Sequence, residues 1–220
     1  MTESTTTEPV DIRATREAYD RMAELYTRRF ANALAAEPFD RAMLGVFTEL
    51  VQADGGGPVA DIGCGPGRIT THLDALGLDV FGIDLSPEMI RLARAARPDL
   101  RYEVGTMEAL PLGEGALSGL VAWYSIIHLP PERVPGMLAE FARVLCVGGR
   151  LLMAFQTTDV GLDLQPHDHK VTRSYRWSVS RVEELLRPCG FEVMAQLLRA
   201  PEPESAYGAG YLIATRVDRG

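Results

Sequence analysis

The chain has 220 residues, 46% of them hydrophobic, which is enough for one full α/β domain and too little for two generous ones. Its formal net charge of −8 argues against a nucleic-acid partner, since such proteins carry a basic face. No stretch approaches the roughly 20 apolar residues of a membrane span, and the polar opening MTESTTTEPV has no apolar signal core, so a soluble cytoplasmic protein with residues 1–9 as a disordered tail is expected.

Residues 11–30 read as a helix, because Ile12, Ala18, Tyr19, Met22, Leu25, Tyr26 and Phe30 recur at three- and four-residue steps. Pro38 opens a second helix that reaches residue 51, with Phe39, Met43, Val46, Phe47 and Leu50 on its apolar side. Both helices precede the first strand and so lie outside the alternating core. The glycine-rich residues 54–58 form the loop into that strand.

In PVADIGCGPGRIT, residues 58–70, a short apolar strand (Val59, Ala60, Ile62) runs through Gly63, Gly65 and Gly67 into a helix. Glycines at alternate positions let the backbone take positive φ and let a ligand lie against the main chain. The helix N-terminus beyond them offers unpaired N–H groups to an anion. A second apolar run, residues 78–83, ends in Asp84, one strand–helix–strand crossover after Asp61, where a carboxylate accepts hydrogen bonds from a ribose diol. A dinucleotide fingerprint would want a small residue at position 68. Arg68 stands there and argues against nicotinamide and flavin cofactors. Ser86, Pro87 and Glu88 then supply an N-cap, a first-turn proline and a dipole-matching acid for a helix through residue 97.

Strands are expected over residues 100–106, 117–125 and 150–155, the last after a helix that starts between Pro131 and Pro135 and stops at Gly148 and Gly149. Residues 156–176 show no period and read as a long loop, the kind that carries functional lids. Ser180 and Glu183 form a capping box for a helix to residue 187, and two antiparallel strands, 191–199 and 207–217, close the chain. The strand–helix alternation predicts an α/β, Rossmann-like, doubly wound and mostly parallel seven-stranded sheet with an antiparallel last strand. Cys64, Cys146 and Cys189 have no metal-type spacing and read as reduced thiols.

VADIGCGPG with FGIDLSPEMIRLAR, followed by VGTMEALPL, GLVAWYSIIHLPPE and VLCVGGRLLMAF, resembles the class I S-adenosylmethionine-dependent methyltransferases, small-molecule branch, strongly over residues 58–156 and weakly in the flanks. The resemblance implies a single domain over residues 10–220. Its parts would be N-terminal lid helices (10–53), a cofactor-binding core (58–156), a substrate-covering loop (157–177) and a C-terminal helix and strand pair (178–217). It implies S-adenosylmethionine as cofactor, with Gly63, Gly65 and Gly67 against the methionine part and ribose and Cys64 as the small residue between them. Asp84 would hold the ribose hydroxyls, Leu85 and Met89 would cover an adenine face, and Asp61 would stand near the ammonium group or support the loop. Thr106 replaces an acid that many relatives use for the adenine amino group. Its hydroxyl, or the backbone around Met107, would read the adenine edge, and Tyr124 converges on the same place.

On the acceptor side, His128 follows the fourth strand where the methyl group should lie, and Tyr19 and Tyr26 face the same region from the first helix, with plain packing as the alternative. His167, Asp168 and His169 form the densest ionisable cluster; a histidine there would touch the substrate or act as base, and a solvated loop is the simpler reading. A third metal ligand is not evident, and no metal is expected. The function read from these residues is in-line methyl transfer to an O, N or C atom of a small organic metabolite or natural product, without nucleic-acid or membrane partners. Oligomeric state is left open, a homodimer being one option. Two rivals stand beside it: a fold that keeps the cofactor but catalyses another reaction or only binds, and an NAD(P)-dependent oxidoreductase.

Overall fold

The computed structural model describes residues 9–168, 173–201 and 207–218. In chain order the strands are β1 (Val59–Ile62), β2 (Val80–Asp84), β3 (Tyr102–Val104), β4 (Leu117–Trp123), β5 (Leu145–Gln156), β6 (Leu164–Asp168), β7 (Arg173–Trp177), β8 (Phe191–Arg199) and β9 (Ala209–Arg216). The helices are α1 (Val10–Phe30), the single turn α2 (Ala33–Ala36), α3 (Pro38–Ala53), α4 (Arg68–Ala75), α5 (Pro87–Ala96), α6 (Val134–Val144) and α7 (Val179–Leu186).

Seven strands make one sheet in the order β3-β2-β1-β4-β5-β9-β8. β1 pairs in parallel with β2 on one side and β4 on the other, so the strand order reverses at β1 and opens a crevice beyond its carboxyl end. β9 runs antiparallel to both β5 and β8, which is the expected reversed ending. Strands sandwiched between helices bury both faces, and β5 shows it: Leu151, Met153 and Phe155 join the core that includes Phe141, while Leu152 and Ala154 join the one that includes Phe47 and Tyr211.

The main departures from the sequence reading are these. β4 stops at Trp123 because Tyr124 turns the backbone to φ 53°. α6 ends at Val144 rather than at the glycine pair; the β4–β5 pairing jumps from Leu117–Leu145 to Gly119–Arg150, and Gly148, at φ 83°, sits in the bulge between. α7 is capped by Ser178, whose Oγ accepts from the Arg181 N–H at 3.1 Å, so Ser180 lies inside the helix. The stretch expected to be aperiodic is a hairpin: β6 pairs antiparallel with β7. Its alternation was hidden because two inward positions of β7, Ser174 and Arg176, are polar yet buried.

α1 also departs from expectation. It buries only Ala18 and Ala23, and Leu25 of the expected apolar stripe is 57% exposed. The helix is held over the sheet by polar contacts instead, described below. Among the described residues no helix is long and apolar enough to cross a membrane.

Candidate active site

The loop after β1 is shaped by three left-handed residues, Gly63 (φ 74°), Gly65 (φ 55°) and Gly67 (φ 80°). A Cβ on Gly63 would lie 2.3 Å from the Ser125 Cβ, and one on Gly67 would lie 2.5 Å from the Tyr102 hydroxyl. These two glycines let the loop press against the tip of β4 and against β3. Gly65 differs, since the nearest atom to its Cβ position is Tyr26 Cε1 at 4.0 Å; its bare face is turned to open space.

Asp84, at the tip of β2, fastens this loop. Its Oδ2 accepts from the Gly65 N–H at 2.8 Å and its Oδ1 from the Ser86 N–H at 2.8 Å. Burial raises the carboxyl above its ordinary pKa, and the two backbone N–H groups pull it back toward the ionised form.

Beyond these tips lies a cleft of about 880 Å³, open solvent at its mouth included. Gly63, Gly65, Asp84, Leu85 and Met89 line one end. Thr106 and Met107 line it after β3, and Tyr124 lines it at the tip of β4. Tyr19, Tyr26 and His128 line the remaining side, so the structure gathers most of the expected residues in one cavity. Tyr124 is the single non-glycine residue with positive φ among the described residues, a conformation that costs energy and points to a constrained site. Burial raises its hydroxyl to about 12.

Five expected residues are not in this lining: Asp61, described below, Gly67, whose Cβ position faces Tyr102, and Cys64, His167 and His169. The Cys64 side chain turns away into a small core with Ile90, Ala93 and Tyr102, and burial pushes its thiol well up, so it fills space and offers no nucleophile. His167 is outside the cleft lining and stacks against Tyr207 at 4.7 Å between ring centroids. His169 lies outside the described residues. Among the described residues no group of three His, Cys, Asp or Glu side chains could hold a metal ion.

The roof is α1, tied down at three places. The Tyr19 hydroxyl meets His128 Nε2 at 2.7 Å, and His128 Nδ1 lies 3.0 Å from the Arg173 carbonyl oxygen. A carbonyl only accepts, so Nδ1 carries the ring proton and Nε2 accepts from the phenol. Burial raises the Tyr19 pKa far above the ordinary phenol value, which keeps it a donor. Asp20 Oδ1 accepts from Ser86 Oγ at 2.5 Å and from the Glu88 N–H at 3.3 Å, joining α1 to the cap of α5. The Arg133 guanidinium bridges Asp11 of α1 and Glu108 after β3.

Beside the glycine loop a smaller cavity is lined by Tyr26, Asp61, Arg68 and Trp123 among others. Asp61 is fully buried; Oδ2 accepts from Thr70 Oγ1 at 2.7 Å, while Oδ1 has no partner. Burial lifts this carboxyl to about 7 against the lowering pull of Thr70 and Arg68. Arg68 and Trp123 each leave a buried nitrogen, an NH1 and Nε1, without a partner. The sequence signalled Arg68 only as a bulky residue where a dinucleotide site needs a small one, and it gave no sign of Asp20 or of Asp11.

Residues 59–149 match the model of the family described as methyltransferase domain. That stretch is similar to methyltransferase domains, and it makes up less than half of the chain. An uncharacterised methyltransferase of Mycobacterium tuberculosis is 38% identical over 101 residues, which are 46% of this chain and 40% of that protein; the chain thus spans less than half the length of that relative. The magnesium protoporphyrin IX methyltransferase of Synechocystis, solved with S-adenosylmethionine bound, superposes at a TM-score of 0.71 over 96% of this chain and 100% of that one, at 19% identity. The 4+2 cyclase SpnF does so at 0.71 over 95% and 97%, at 16% identity. These two likenesses show the fold alone, and the second shows that the fold also hosts a cyclase. The match runs from β1 into the start of β5, so it covers the glycine loop, Asp84 and Tyr124 and leaves α1 and the hairpin outside it.

Proposed function

We propose that the protein transfers a methyl group from S-adenosylmethionine to an oxygen, nitrogen or carbon atom of a small organic metabolite or natural product. One observation carries this reading: a single cleft is lined both by the bare Gly65 backbone with the Asp84 carboxylate and by the Tyr19–His128 pair.

The residues present fit the cofactor. Each Asp84 oxygen uses one backbone N–H and keeps lone-pair capacity for a ribose hydroxyl. Leu85, Met89 and Met107 offer apolar surface to an adenine, and the Thr106 hydroxyl stands at the edge of the same space. When bound, S-adenosylmethionine supplies a methyl group on a positively charged sulfur, an electrophile ready for an acceptor's lone pair.

The chain's own share is alignment and proton handling. Holding two reactants in line within a closed cleft is worth ~7–11 kcal/mol in well-oriented systems. The Tyr19 oxygen keeps a lone pair for the proton of an acceptor O–H or N–H, while its own proton passes to His128 Nε2; the Nδ1–H stays anchored on the Arg173 carbonyl. Such general-base help is worth about 10²–10⁴ in rate. α1 covers the cleft with Tyr19 and Tyr26 and limits the entry of water.

The carboxylates of Asp11, Asp84 and Glu108 line the cleft, which disfavours a phosphate backbone as substrate and supports a small acceptor without a nucleic-acid or membrane partner. Location in the cytoplasm is part of the same proposal, and three free cysteines fit it. Incubation with methyl-labelled cofactor and a panel of phenols, amines and enols tests the reading. Label on any acceptor supports it; tight cofactor binding with no transfer across the panel favours a cofactor-dependent reaction of another kind.

A further inference from the structure

Resting on the cofactor reading above, we propose that Asp40 and Tyr211 are positioning residues of the cleft: they commit the Tyr124 proton inward, leave its oxygen an acceptor, and so favour a ligand that carries positive charge over its neutral counterpart.

A row of polar groups runs from the first turn of α3 to the cleft. Asp40 is buried on the same face of α3 as Met43, Leu44 and Phe47. A carboxylate costs more to bury than an apolar side chain, so packing alone does not account for it. Its Oδ1 accepts from the Tyr211 hydroxyl at 2.6 Å, and the Tyr211 oxygen lies 3.5 Å from the Tyr124 hydroxyl. A phenol has one proton. The proton of Tyr211 goes to Asp40, so Tyr124 is the donor in the second contact, and its oxygen keeps only lone pairs. Burial raises both phenols above their ordinary pKa and keeps them protonated. Burial also raises Asp40, and Glu37 adds to that, while the Tyr211 hydrogen bond, Arg199 and Arg68 pull it back toward the ionised form. The positive end of the α3 dipole favours that form too.

Tyr124 lines the cleft, whereas Asp40 and Tyr211 do not, so they act on a ligand through it. The Tyr124 backbone is held at φ 53°, with its N–H on the Ala154 carbonyl at 2.8 Å. A residue without glycine's freedom keeps such a conformation only where its surroundings fix it. The Tyr211 ring packs against Trp123 at 5.8 Å between centroids, which sets it beside the end of β4. Hydrogen bonds in a row polarise one another, and a carboxylate at the inner end draws negative charge toward the Tyr124 oxygen. S-adenosylmethionine bears a positive sulfur where S-adenosylhomocysteine bears a neutral one, so the pair reads this effect.

The test is calorimetry with these two nucleosides, and the readout is the ratio of their affinities. Asp40→Asn and Tyr211→Phe each turn that ratio against S-adenosylmethionine by about three- to tenfold relative to the wild type, the size expected of one charge acting across a partly screened interior. S-adenosylhomocysteine affinity stays within about threefold, which also reports that each variant is folded. The double variant loses no more than either single one, because both cut the same row. Asp40→Glu keeps the charge and retains part of the ratio. Tyr124→Phe, which removes the outer hydroxyl, lowers the ratio to the same extent and serves if the inner variants do not fold. A ratio that stays at the wild-type value in the variants, whatever their melting temperatures, marks a merely structural role; it overturns the proposal and leaves the cofactor reading standing. Losses that multiply in the double variant overturn it as well. Wild-type protein that binds neither nucleoside overturns both.

Discussion

The phenol of Tyr19 and the Nε2 of His128 lie 2.7 Å apart although 109 residues separate them in the chain. Through this bond the roof helix and the segment after the fourth strand meet in the wall of a cleft that Asp84 also lines. In the proposed function Asp84 holds the cofactor and the pair serves the acceptor, so the two answer differently to mutation.

Asp84→Ala removes the acceptor of the Gly65 and Ser86 N–H groups and the proposed ribose contact. Hydrogen bonds to a charged group are worth ~1.5–3 kcal/mol, so S-adenosylhomocysteine affinity falls about 10- to 100-fold. Tyr19→Phe and His128→Ala leave it within about threefold. Calorimetric titration of the three variants shows whether the cofactor and acceptor walls are separate.

Gly63→Ala places a methyl group 2.3 Å from the Ser125 Cβ and forces a non-glycine residue to φ 74°. It lowers the melting temperature, and Ser125→Gly restores part of the loss in the double variant, because the two positions share one clash. Gly65→Ala meets no such neighbour; it melts closer to wild type, with only the left-handed conformation to pay for at ~1 kcal/mol, yet binds S-adenosylhomocysteine weakly. Thermal melts with and without this ligand separate the two glycines.

Asp61 titrates near 3.8 in an unfolded chain and at about 7 in the fold. Between those values the folded state keeps a proton that the unfolded chain has released, so stability falls as pH rises. The loss is about 4 kcal/mol across the interval at ~1.4 kcal/mol per pH unit. Asp61→Asn escapes it and is more stable than wild type in the absence of ligand above pH 7, as shown by urea unfolding at pH 5 and pH 8. The charged groups acting on Asp61 are Arg68, which lowers its pKa, and Asp84, which raises it. Affinity of the wild type for S-adenosylhomocysteine declines from pH 8 to pH 6 as Asp61 takes up its proton, and the Asn variant is flat.

Asp20→Ala cuts both hydrogen bonds that tie α1 to the cap of α5. α1 carries Arg13, Arg16, Arg21, Arg28 and Arg29, so limited trypsin digestion reports its release directly. Cleavage within α1 quickens in the variant, while the melting temperature of the sheet core changes little, since α1 buries only Ala18 and Ala23.

The sheet and the cofactor end were legible because they rest on local signals: apolar runs closed by glycine, the acid at 84, and the Ser86-Pro87 cap, whose Oγ does accept from the Met89 N–H. The acceptor end was legible only as a set of candidate residues. The Tyr19–His128 bond spans the chain and has no local pattern, and the hairpin that positions His128 through the Arg173 carbonyl was masked by its buried polar residues Ser174 and Arg176. The bulk of Arg68 in the sequence only excludes a dinucleotide site; its buried Nη1 becomes visible only once the loop folds.

In the proposed function the glycine loop and Asp84 together hold a sulfonium nucleoside. Titration calorimetry of the purified protein with S-adenosylhomocysteine and, separately, with NADH measures that most directly. Saturable heat with the first and none with the second is the predicted result; a folded protein silent toward S-adenosylhomocysteine that binds NADH would contradict it.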